Sequence, residues 1–308
     1  MRPAPDDTPR PPHRRAVLRH AVLATAGGLL SAGGLVACAP VAALNGLAAL
    51  QGRLWQRDLP FGPDAHQRCD LYRPAGAPPP AGWPLVVFFY GGSWSSGRRA
   101  DYRFVGEALA SHGVLALVAD YRLYPQVRYP AFLQDAAAAL ALGIAQAKTW
   151  GGHAQRVFVM GHSAGAYNAA MLALDGRWLA AHQLSPDRLA GWIGVAGPYD
   201  FLPIRTPVVQ AVFGHPNVAA DTQPVAHVAG SAVPALLLAA AQDTLVDPQR
   251  NTVALARALR AQGTPVQARL LDGVDHATVL GALAWPLQGR APVLSSVLAF
   301  VAHPTGSA

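Results

Sequence analysis

Short apolar runs alternate with helical patterns along most of the chain. The apolar runs lie at residues 85–90, 114–119, 157–160, 192–196, 235–241 and 267–271. Segments of helical character separate them at 104–111, 131–148, 166–174 and 249–261, and a last one ends near Ala302. Because strands that are apolar throughout are buried on both faces, this order predicts an α/β fold with a mostly parallel central sheet and helices on both faces.

Two further features complete the predicted domain. Residues 54–59 and 67–72 flank a turn-like Phe61-Gly62-Pro63-Asp64 segment and predict an antiparallel pair of strands. Residues 198–234 show no clear strand, so we expect a cap or substrate-binding insertion there. No internal repeat or second composition shift is visible, and we therefore predict one domain over residues 53–308.

The segment Gly161-His162-Ser163-Ala164-Gly165 carries the clearest chemical signal. It follows the apolar run at 157–160 and precedes the helical pattern at 166–174. A chain that passes from strand to helix within a few residues holds its central residue in a strained conformation, and glycines two positions to either side avoid clashes. This context is typical of a nucleophile elbow, with Ser163 as the nucleophile.

A serine hydroxyl needs a base to activate it and a carboxylate to orient that base. In proteins with this elbow, the acid and then the base follow the serine along the chain. His276 lies in a loop just past the run at 267–271, where it can face the carboxyl edge of the sheet, whereas His303 lies near the C-terminus. We predict His276 as the base and His303 as a surface residue.

The acid should lie at the end of a strand. Asp243 directly follows the apolar run at 235–241, whereas Asp247 precedes Pro248 and is typical of a helix N-cap. We predict Asp243 as the acid. The alternatives are Asp247 and, after it, Asp200, Asp272 and Asp275.

A tetrahedral intermediate needs backbone N–H donors for its oxyanion. One should be the amide of Ala164 at the start of the helix, and the others should come from the loop after the strand at 85–90. That loop reads Gly91-Gly92-Ser93-Trp94, where paired glycines let the amides turn inward. We predict Gly92, Ser93 and Ala164 as the donors.

From residue 54 to residue 303 the chain resembles α/β-hydrolase carboxylesterases with a His-Gly-Gly-type oxyanion loop. It is most similar to the feruloyl-esterase-like and kynurenine-formamidase-like branch. The matching segments are 61–64, 67–74, 91–94, 120–125, Pro130 with Asp135, the elbow at 161–165, 243–246 and His276. The resemblance implies an α/β-hydrolase fold and places the acid at Asp243, in an Asp-x-x-Val motif.

The same resemblance implies two further details. Tyr90 stands where the family usually has a histidine before the two glycines, which implies a differently shaped oxyanion loop with unchanged chemistry. Arg122 and Asp135 are implied to form a structural ion pair beneath the site, with two solvated charges as the alternative.

Aromatic residues near the catalytic loops could line a substrate pocket. The candidates are Trp94, Tyr167, Tyr199, Phe201, Phe213 and Trp285, although aromatic residues in so apolar a chain are also ordinary core residues. No His, Cys and Asp set has metal-ligand spacing, and no glycine-rich phosphate loop occurs. We therefore expect no metal and no other cofactor.

Charge argues against a nucleic-acid partner. The 308 residues carry a formal charge of +7, and only 13% are charged. The segment before Cys38 holds +3 of that total, and the remaining +4 is scattered singly over the rest. We expect a small-molecule substrate and no nucleic acid.

The N-terminus resembles a bacterial export signal. Arg14-Arg15-Ala16-Val17-Leu18-Arg19 is similar to a twin-arginine signal, and Leu35-Val36-Ala37-Cys38 resembles a lipobox, in which the cysteine is lipidated. We expect a signal peptide at 1–37, a weakly structured linker at 38–52 and a lipid-anchored protein of the cell envelope. Cleaved export and a retained membrane span are alternatives, the latter because residues 21–52 carry no charge. A lipidated Cys38 leaves Cys69 without a disulfide partner, and we expect Cys69 to be a half-buried strand residue.

These features together predict a serine carboxylesterase that works through an acyl-enzyme intermediate. The alternative enzymatic function is that of an arylformamidase-like amidase. A non-catalytic surface protein that uses the hydrolase fold for binding is the alternative from another class. The sequence does not specify the acyl group, the alcohol or the oligomeric state.

Overall fold

The computed structural model describes Met1 and residues 33–306, with side chains from Val41 onward. The chain divides into two compact units, Met1–Ala42 and Ala43–Ala308. The predicted signal peptide at 1–37 lies almost wholly outside the described residues, and the side chain of Cys38 lies outside them too. Among the helices that are described, none has the length and apolarity needed to cross a membrane.

One sheet of eight strands organises the second unit. The strands are β1 (Leu54–Pro60), β2 (Arg68–Tyr72), β3 (Trp83–Phe89), β4 (Leu115–Ala119), β5 (Gly152–His162), β6 (Gly191–Val195), β7 (Ala235–Ala240) and β8 (Val266–Leu271). Their order in the sheet is β1-β2-β4-β3-β5-β6-β7-β8. β2 runs antiparallel to both β1 and β4, and the remaining pairs are parallel. The predicted parallel sheet and the predicted antiparallel pair are both confirmed.

The described helices precede, connect or follow these strands. They are α1 (Gly33–Ala49), α2 (Arg103–Ser111), α3 (Ala131–Gln146), α4 (Ala164–Leu174), α5 (Arg177–Ala180), α6 (Pro207–Phe213), α7 (Ala254–Ala261), α8 (Thr278–Gly281) and α9 (Val293–Ala302). Those from α2 to α7 connect parallel strands, and a short π-helical turn, Gln249–Val253, leads into α7. The residues of β4, β6 and β7 are all buried, as continuous apolar strands beneath helices require.

The predicted linker is partly helical, which corrects our expectation of weak structure at 38–52. Alanine and leucine favour a helix, and α1 extends to Ala49. Asn45 then fixes the end of this helix, because its side-chain oxygen accepts the Phe104 N–H at 3.0 Å. That amide lies in the first turn of α2 and has no partner inside its own helix.

Two other expectations concern the segment 198–234 and Cys69. The segment 198–234 contains α6 and two short 3₁₀ turns, and no strand lies in it. Cys69 is fully buried in β2, whereas we expected it to be half-buried. Burial raises the pKa of the Cys69 thiol to about 12, which keeps this cysteine protonated and unreactive.

Candidate active site

The candidate site lies at the carboxyl edge of the parallel strands. Four connections meet there: the loops after β3, β5, β7 and β8 carry Ser93, Ser163, Asp243 and His276. Parallel strands bring the loops at their carboxyl ends to one edge of the sheet, which is where ligands bind in α/β folds. Residues far apart in sequence can therefore meet in one place.

Ser163 lies in a strained turn between β5 and α4. Its φ of 52° and ψ of −120° place it in the region that favours glycine. The backbone holds this conformation from both sides, because Ser163 donates its N–H to Val195 O at 2.9 Å and its carbonyl accepts the Ala166 N–H at 2.9 Å. This geometry is that of the predicted elbow.

The two glycines of the motif leave no room for side chains. A Cβ at Gly161 would lie 2.0 Å from Gly165 O, and a Cβ at Gly165 would lie 2.1 Å from Phe89 O. Both clashes are with backbone atoms, which cannot rotate away. The glycines are thus required for the close approach of β3, β5 and α4 around Ser163.

His276 joins Ser163 to Asp243. The hydroxyl of Ser163 lies 2.9 Å from His276 Nε2, and His276 Nδ1 lies 2.7 Å from Asp243 Oδ2. The Asp243 side chain is fully buried, while that of His276 is 13% exposed. Because a carboxylate accepts only, Nδ1 carries the proton and Nε2 presents its lone pair to Ser163.

The turn after β7 holds the Asp243 carboxylate in place. Its second oxygen accepts the N–H groups of Leu245 and Val246 at 2.9 and 3.0 Å. Asp247 instead accepts the Gln249 and Arg250 amides at the start of the following helical turn, as an N-cap does. The structure therefore brings Asp243, and not Asp247, to His276.

The remaining candidates lie in other interactions. Asp200 pairs with Arg250, and Asp275 accepts the amides of Ala277 and Thr278. Asp272 makes no hydrogen bond or ion pair with any described residue. His303 is exposed at the end of α9, as expected.

Two of the predicted oxyanion donors, Ser93 and Ala164, lie at the space beside Ser163. Ser93, with φ of 52°, and Ala164, the first residue of α4, both line a cavity that also contains Ser163 and His276. Neither amide donates to an acceptor within the described part of the chain. Gly92 has a φ of 128° and does not line the cavity, and a Cβ there would lie 2.1 Å from Ser96 O. Of the three predicted donors, Ser93 and Ala164 therefore line the cavity, whereas Gly92 shapes the loop.

The side chain of Tyr90 lies in an aromatic stack behind this loop. Its ring stacks on Tyr121 at 4.7 Å and on Tyr102 at 5.4 Å between centroids. The Tyr121 hydroxyl donates to Tyr90 O at 2.8 Å, and Gly97 packs against the Tyr90 ring. Burial raises the pKa of Tyr90, so its phenol stays neutral. Tyr90 thus supports the loop from beneath and stays outside the cavity.

Arg122 and Asp135 form the ion pair that the resemblance implied. Arg122 Nη2 and Nε contact the two oxygens of Asp135 at 2.7 and 2.9 Å. Asp135 is buried and also accepts from Gln67 Nε2 at 2.8 Å. With the Arg122 backbone N–H at 2.9 Å, this buried carboxylate has four donors and is a structural element, and the alternative of two solvated charges is wrong.

The cavity beside Ser163 has a volume of about 260 Å³. Its wall consists of Ser93, Trp94, Ser163, Ala164, Pro198, Phe201, Ile204, Arg205, Thr206, Val209, Leu245, Val246 and His276. Residues 198–209, from the predicted insertion, supply almost half of this wall. The insertion is therefore placed to select substrates.

Two of the six aromatic candidates, Trp94 and Phe201, line this cavity, whereas Tyr199 and Phe213 are buried outside its wall. Trp94 lines it and donates its indole N–H to Asn168 at 3.0 Å. Tyr167 is buried one layer beneath, with its ring 5.1 Å from that of Trp94 and its hydroxyl on Thr222 O. Trp285 is 55% exposed and is not part of the wall. Tyr167 and Trp285 are thus wrong as lining residues, because an aromatic side chain near a catalytic loop in sequence can point into the core or into solvent.

His162 is a site residue that the sequence did not single out. It is buried beside Ser163, and its Nε2–H donates to the backbone carbonyl of His276 at 2.8 Å. The two imidazole rings lie 5.1 Å apart. His162 Nδ1 is buried and has no hydrogen-bond partner among the described residues. His162 therefore links the loop that carries His276 to the turn that carries Ser163 through a hydrogen bond.

Burial, together with the neighbouring His276, lowers the pKa of His162 from 6.5 to about 4. The unfolded chain takes up this proton near pH 6.5, whereas the folded protein does so only near pH 4. The unfolded state thus binds more protons in that window, and stability is lost as the pH falls from 6.5 towards 4. The largest loss in the free energy of unfolding is on the order of 3 kcal/mol, because each pKa unit of difference between the folded and unfolded states contributes roughly 1.4 kcal/mol.

We expect His162→Gln to flatten this pH dependence, because glutamine keeps an N–H donor and does not titrate. Chemical denaturation at pH 7.5, 6, 5 and 4.5 gives the free energy of unfolding at each pH. The matched control is His182→Gln, at an exposed histidine, which should follow the wild type. Parallel curves for His162→Gln and wild type would show that His162 does not titrate in this window.

The chain is similar to known proteins in sequence and in fold. A family model described as BD-FAE matches residues 69–259, more than half of the chain. Esterase LipC of Mycobacterium tuberculosis is 28% identical over 240 residues, which are 72% of this chain. Kynurenine formamidase of Danio rerio is 26% identical over 228 residues, which are 72% of this chain and 75% of that protein.

The chain spans 59% of the length of the mycobacterial esterase. Among solved structures, a thermophilic esterase of the Planctomycetes species Thermogutta terrifontis with bound propionate superposes with a TM-score of 0.67 at 20% identity. The match covers 82% of this chain and 94% of that one. The strand order and this likeness show the α/β-hydrolase fold.

Proposed function

This chain belongs to the BD-FAE family, and on that premise we propose that it is a serine carboxylesterase. The observation that carries the proposal is the unbroken hydrogen-bonded series from Asp243 through His276 to Ser163, at the wall of a cavity. A second support is that Ser93 and Ala164 line the same cavity and that their amides have no acceptor among the described residues. A nucleophile, a base, an orienting acid and oxyanion donors together are what acyl transfer requires.

The proposed reaction has two halves. Ser163 Oγ attacks the ester carbonyl while His276 Nε2 takes its proton, and the oxyanion accepts from the Ser93 and Ala164 amides. Collapse of this intermediate releases the alcohol, which receives the proton from His276 Nε2. Water then attacks the acyl-enzyme with His276 again as the base, and Ser163 regains its proton as the acid leaves. Asp243 stays ionised and stabilises the imidazolium throughout.

An aryl-ester series tests the activity. We expect hydrolysis of 4-nitrophenyl esters with a preference for short acyl chains, because the cavity of about 260 Å³ is small for a substrate site. Initial rates for acetate through dodecanoate esters give the profile. Absence of hydrolysis above that of the Ser163→Ala variant for all chain lengths would contradict the proposal.

An arylformamidase activity is the second candidate. The specific observation in its favour is that the chain aligns with three quarters of the length of a kynurenine formamidase. N-formylanilides assayed beside the esters decide between the two. A kcat/KM for a formanilide above that of every ester would favour the amidase. Binding without turnover of either class would favour a non-catalytic protein.

Tyr90→His restores the residue usual in the resembling family and should change turnover by less than about tenfold. The reason is that Ser93 and Ala164 supply backbone donors, while the Tyr90 side chain lies in the stack with Tyr102 and Tyr121. The measurement is kcat on one aryl ester, with Tyr102→His as the control for disruption of the stack. A loss of several hundredfold in Tyr90→His alone would give Tyr90 a direct catalytic role.

We further propose that the protein is anchored to a bacterial envelope membrane through a lipid on Cys38. The support is the lipobox-like sequence at 35–38 after a basic and then uncharged segment. Cys38→Ser should abolish lipid attachment and cleavage before this residue, while activity per molecule stays unchanged. Intact-mass spectrometry of the membrane fraction tests this. A chain that retains Arg14 and Arg15, or an unmodified mature N-terminus, would contradict the anchor.

A further inference from the structure

The catalytic cavity has an apolar wall with one permanent cation. Most of its lining is apolar, from Trp94, Ala164, Pro198, Phe201, Ile204, Val209, Leu245 and Val246. Among the described residues, Arg205 is the one with a permanent charge that lines the cavity, and no carboxylate lines it, since Asp243 lies behind His276.

Arg205 is not used to hold the fold together. Its side chain is exposed and makes no hydrogen bond, ion pair or aromatic contact within the described part of the chain. Four other arginines do pair within the fold, since Arg99, Arg122, Arg177 and Arg250 each contact at least one carboxylate. The guanidinium of Arg205 is thus available to a ligand in the cavity.

The chemistry of a single guanidinium favours a carboxylate. Its planar N–H fork matches the two oxygens of a carboxylate, with two parallel hydrogen bonds. The apolar residues that line the same cavity as Arg205 and Ser163 suit a hydrocarbon spacer, and no acidic residue among those described lines it to repel a carboxylate. An ester that carries an ionised carboxylate far from the ester bond fits the guanidinium, the apolar lining and the lack of acidic lining residues.

We propose that Arg205 is a specificity-determining residue that selects esters carrying a carboxylate remote from the bond to be cleaved. The proposal rests on the esterase function proposed above and names its substrate class. The carboxylate can belong to the acyl part, as in a monoester of a dicarboxylic acid, or to the alcohol part.

Matched pairs of substrates test this selectivity. In the acyl arm, the 4-nitrophenyl monoester of hexanedioic acid is compared with 4-nitrophenyl hexanoate. In the alcohol arm, 4-(carboxymethyl)phenyl butanoate is compared with its primary amide. The ratio of kcat/KM for the anionic and the neutral ester is measured in each arm, at low and at high salt.

Arg205→Gln should lower this ratio by roughly three- to tenfold in at least one arm, the range of a partly solvated ion pair. The neutral esters should change by less than about twofold, and Arg205→Lys should keep part of the preference. Salt should weaken the preference in the wild type and not in Arg205→Gln. The matched control is Arg257→Gln, at an exposed arginine on α7 outside the cavity, which removes the same charge and should leave both ratios unchanged.

An unchanged ratio in Arg205→Gln in both arms would overturn the proposal, and so would equal losses for the anionic and neutral esters. Calorimetric binding of the same esters to Ser163→Ala, with and without Arg205→Gln, separates this proposal from the esterase function. Binding that depends on Arg205 without hydrolysis by the wild type would support the anion subsite and contradict the esterase. Hydrolysis by the wild type that does not depend on Arg205 would support the esterase function and contradict the anion subsite.

Discussion

Ser163→Ala and His276→Ala are each expected to lower kcat for an aryl ester by roughly 10⁴- to 10⁶-fold, the usual loss when a member of such a triad is removed. Without Ser163 Oγ no acyl-enzyme forms. In the unmodified protein the Ser163 hydroxyl lies 2.9 Å from His276 Nε2. Without His276, no base takes the proton of this hydroxyl. The double variant should be no slower than either single variant, because the two residues act as a unit.

The measurement is kcat from initial rates, with thermal unfolding followed by circular dichroism to show that each variant is folded. Ser185→Ala and His182→Ala are matched controls at exposed positions away from the cavity and should keep wild-type activity. A folded Ser163→Ala or His276→Ala protein with activity within tenfold of the wild type would refute the proposed roles.

Asp243→Asn is expected to lower kcat by about 10⁴-fold through the tautomer of His276. The asparagine oxygen can still accept the Leu245 and Val246 amides, so its NH₂ group faces His276 Nδ1. His276 then has to place its proton on Nε2, where it no longer accepts from Ser163. The fold should be little affected because the two side chains have nearly the same shape.

Asp247→Asn is the matched comparison for this variant. Asparagine is as good an N-cap as aspartate, so the amides of Gln249 and Arg250 keep their acceptor and activity should fall by less than about threefold. Rates on one ester, and unfolding midpoints for both variants, give the comparison. The opposite order of activities would make Asp247 the acid.

The elbow and the sheet could be predicted because both depend on local sequence pattern. β4 and β7 are apolar at every position, which marks a strand buried on both faces, and Gly161 and Gly165 mark a turn that tolerates no side chain. The choice of Asp243 over Asp247 also followed from local features, the strand end and the proline. Such features can be predicted because residues close together in the sequence determine them.

The roles of His162 and Arg205 and the contact that holds the end of the linker helix could not be predicted, because each depends on how residues distant in sequence are brought together. His162 meets the carbonyl of His276, a contact over 114 residues, and nothing in the elbow motif indicates it. Arg205 lies in a segment without regular sequence pattern, and only the fold places it on the cavity wall. The end of α1 is held by Asn45 on the amide of Phe104, 59 residues away.

The substrate pocket was predicted least well, for the same physical reason. Trp94 is fixed beside Ser163 by the loop after β3, so its neighbourhood follows from the motif. Tyr167 lies on α4, where the helix turns its side chain into the core, and Trp285 lies on the surface. Proximity in sequence to a catalytic loop does not set the direction of a side chain.

Labelling with a fluorophosphonate probe tests the central claim, a nucleophilic Ser163, most directly. The probe transfers its phosphonyl group to a serine that a neighbouring base activates. Peptide mass spectrometry is expected to find one phosphonylated residue, Ser163, with loss of ester hydrolysis in proportion to labelling, and no label in His276→Ala. Complete treatment that leaves Ser163 unmodified while ester hydrolysis continues would contradict the account.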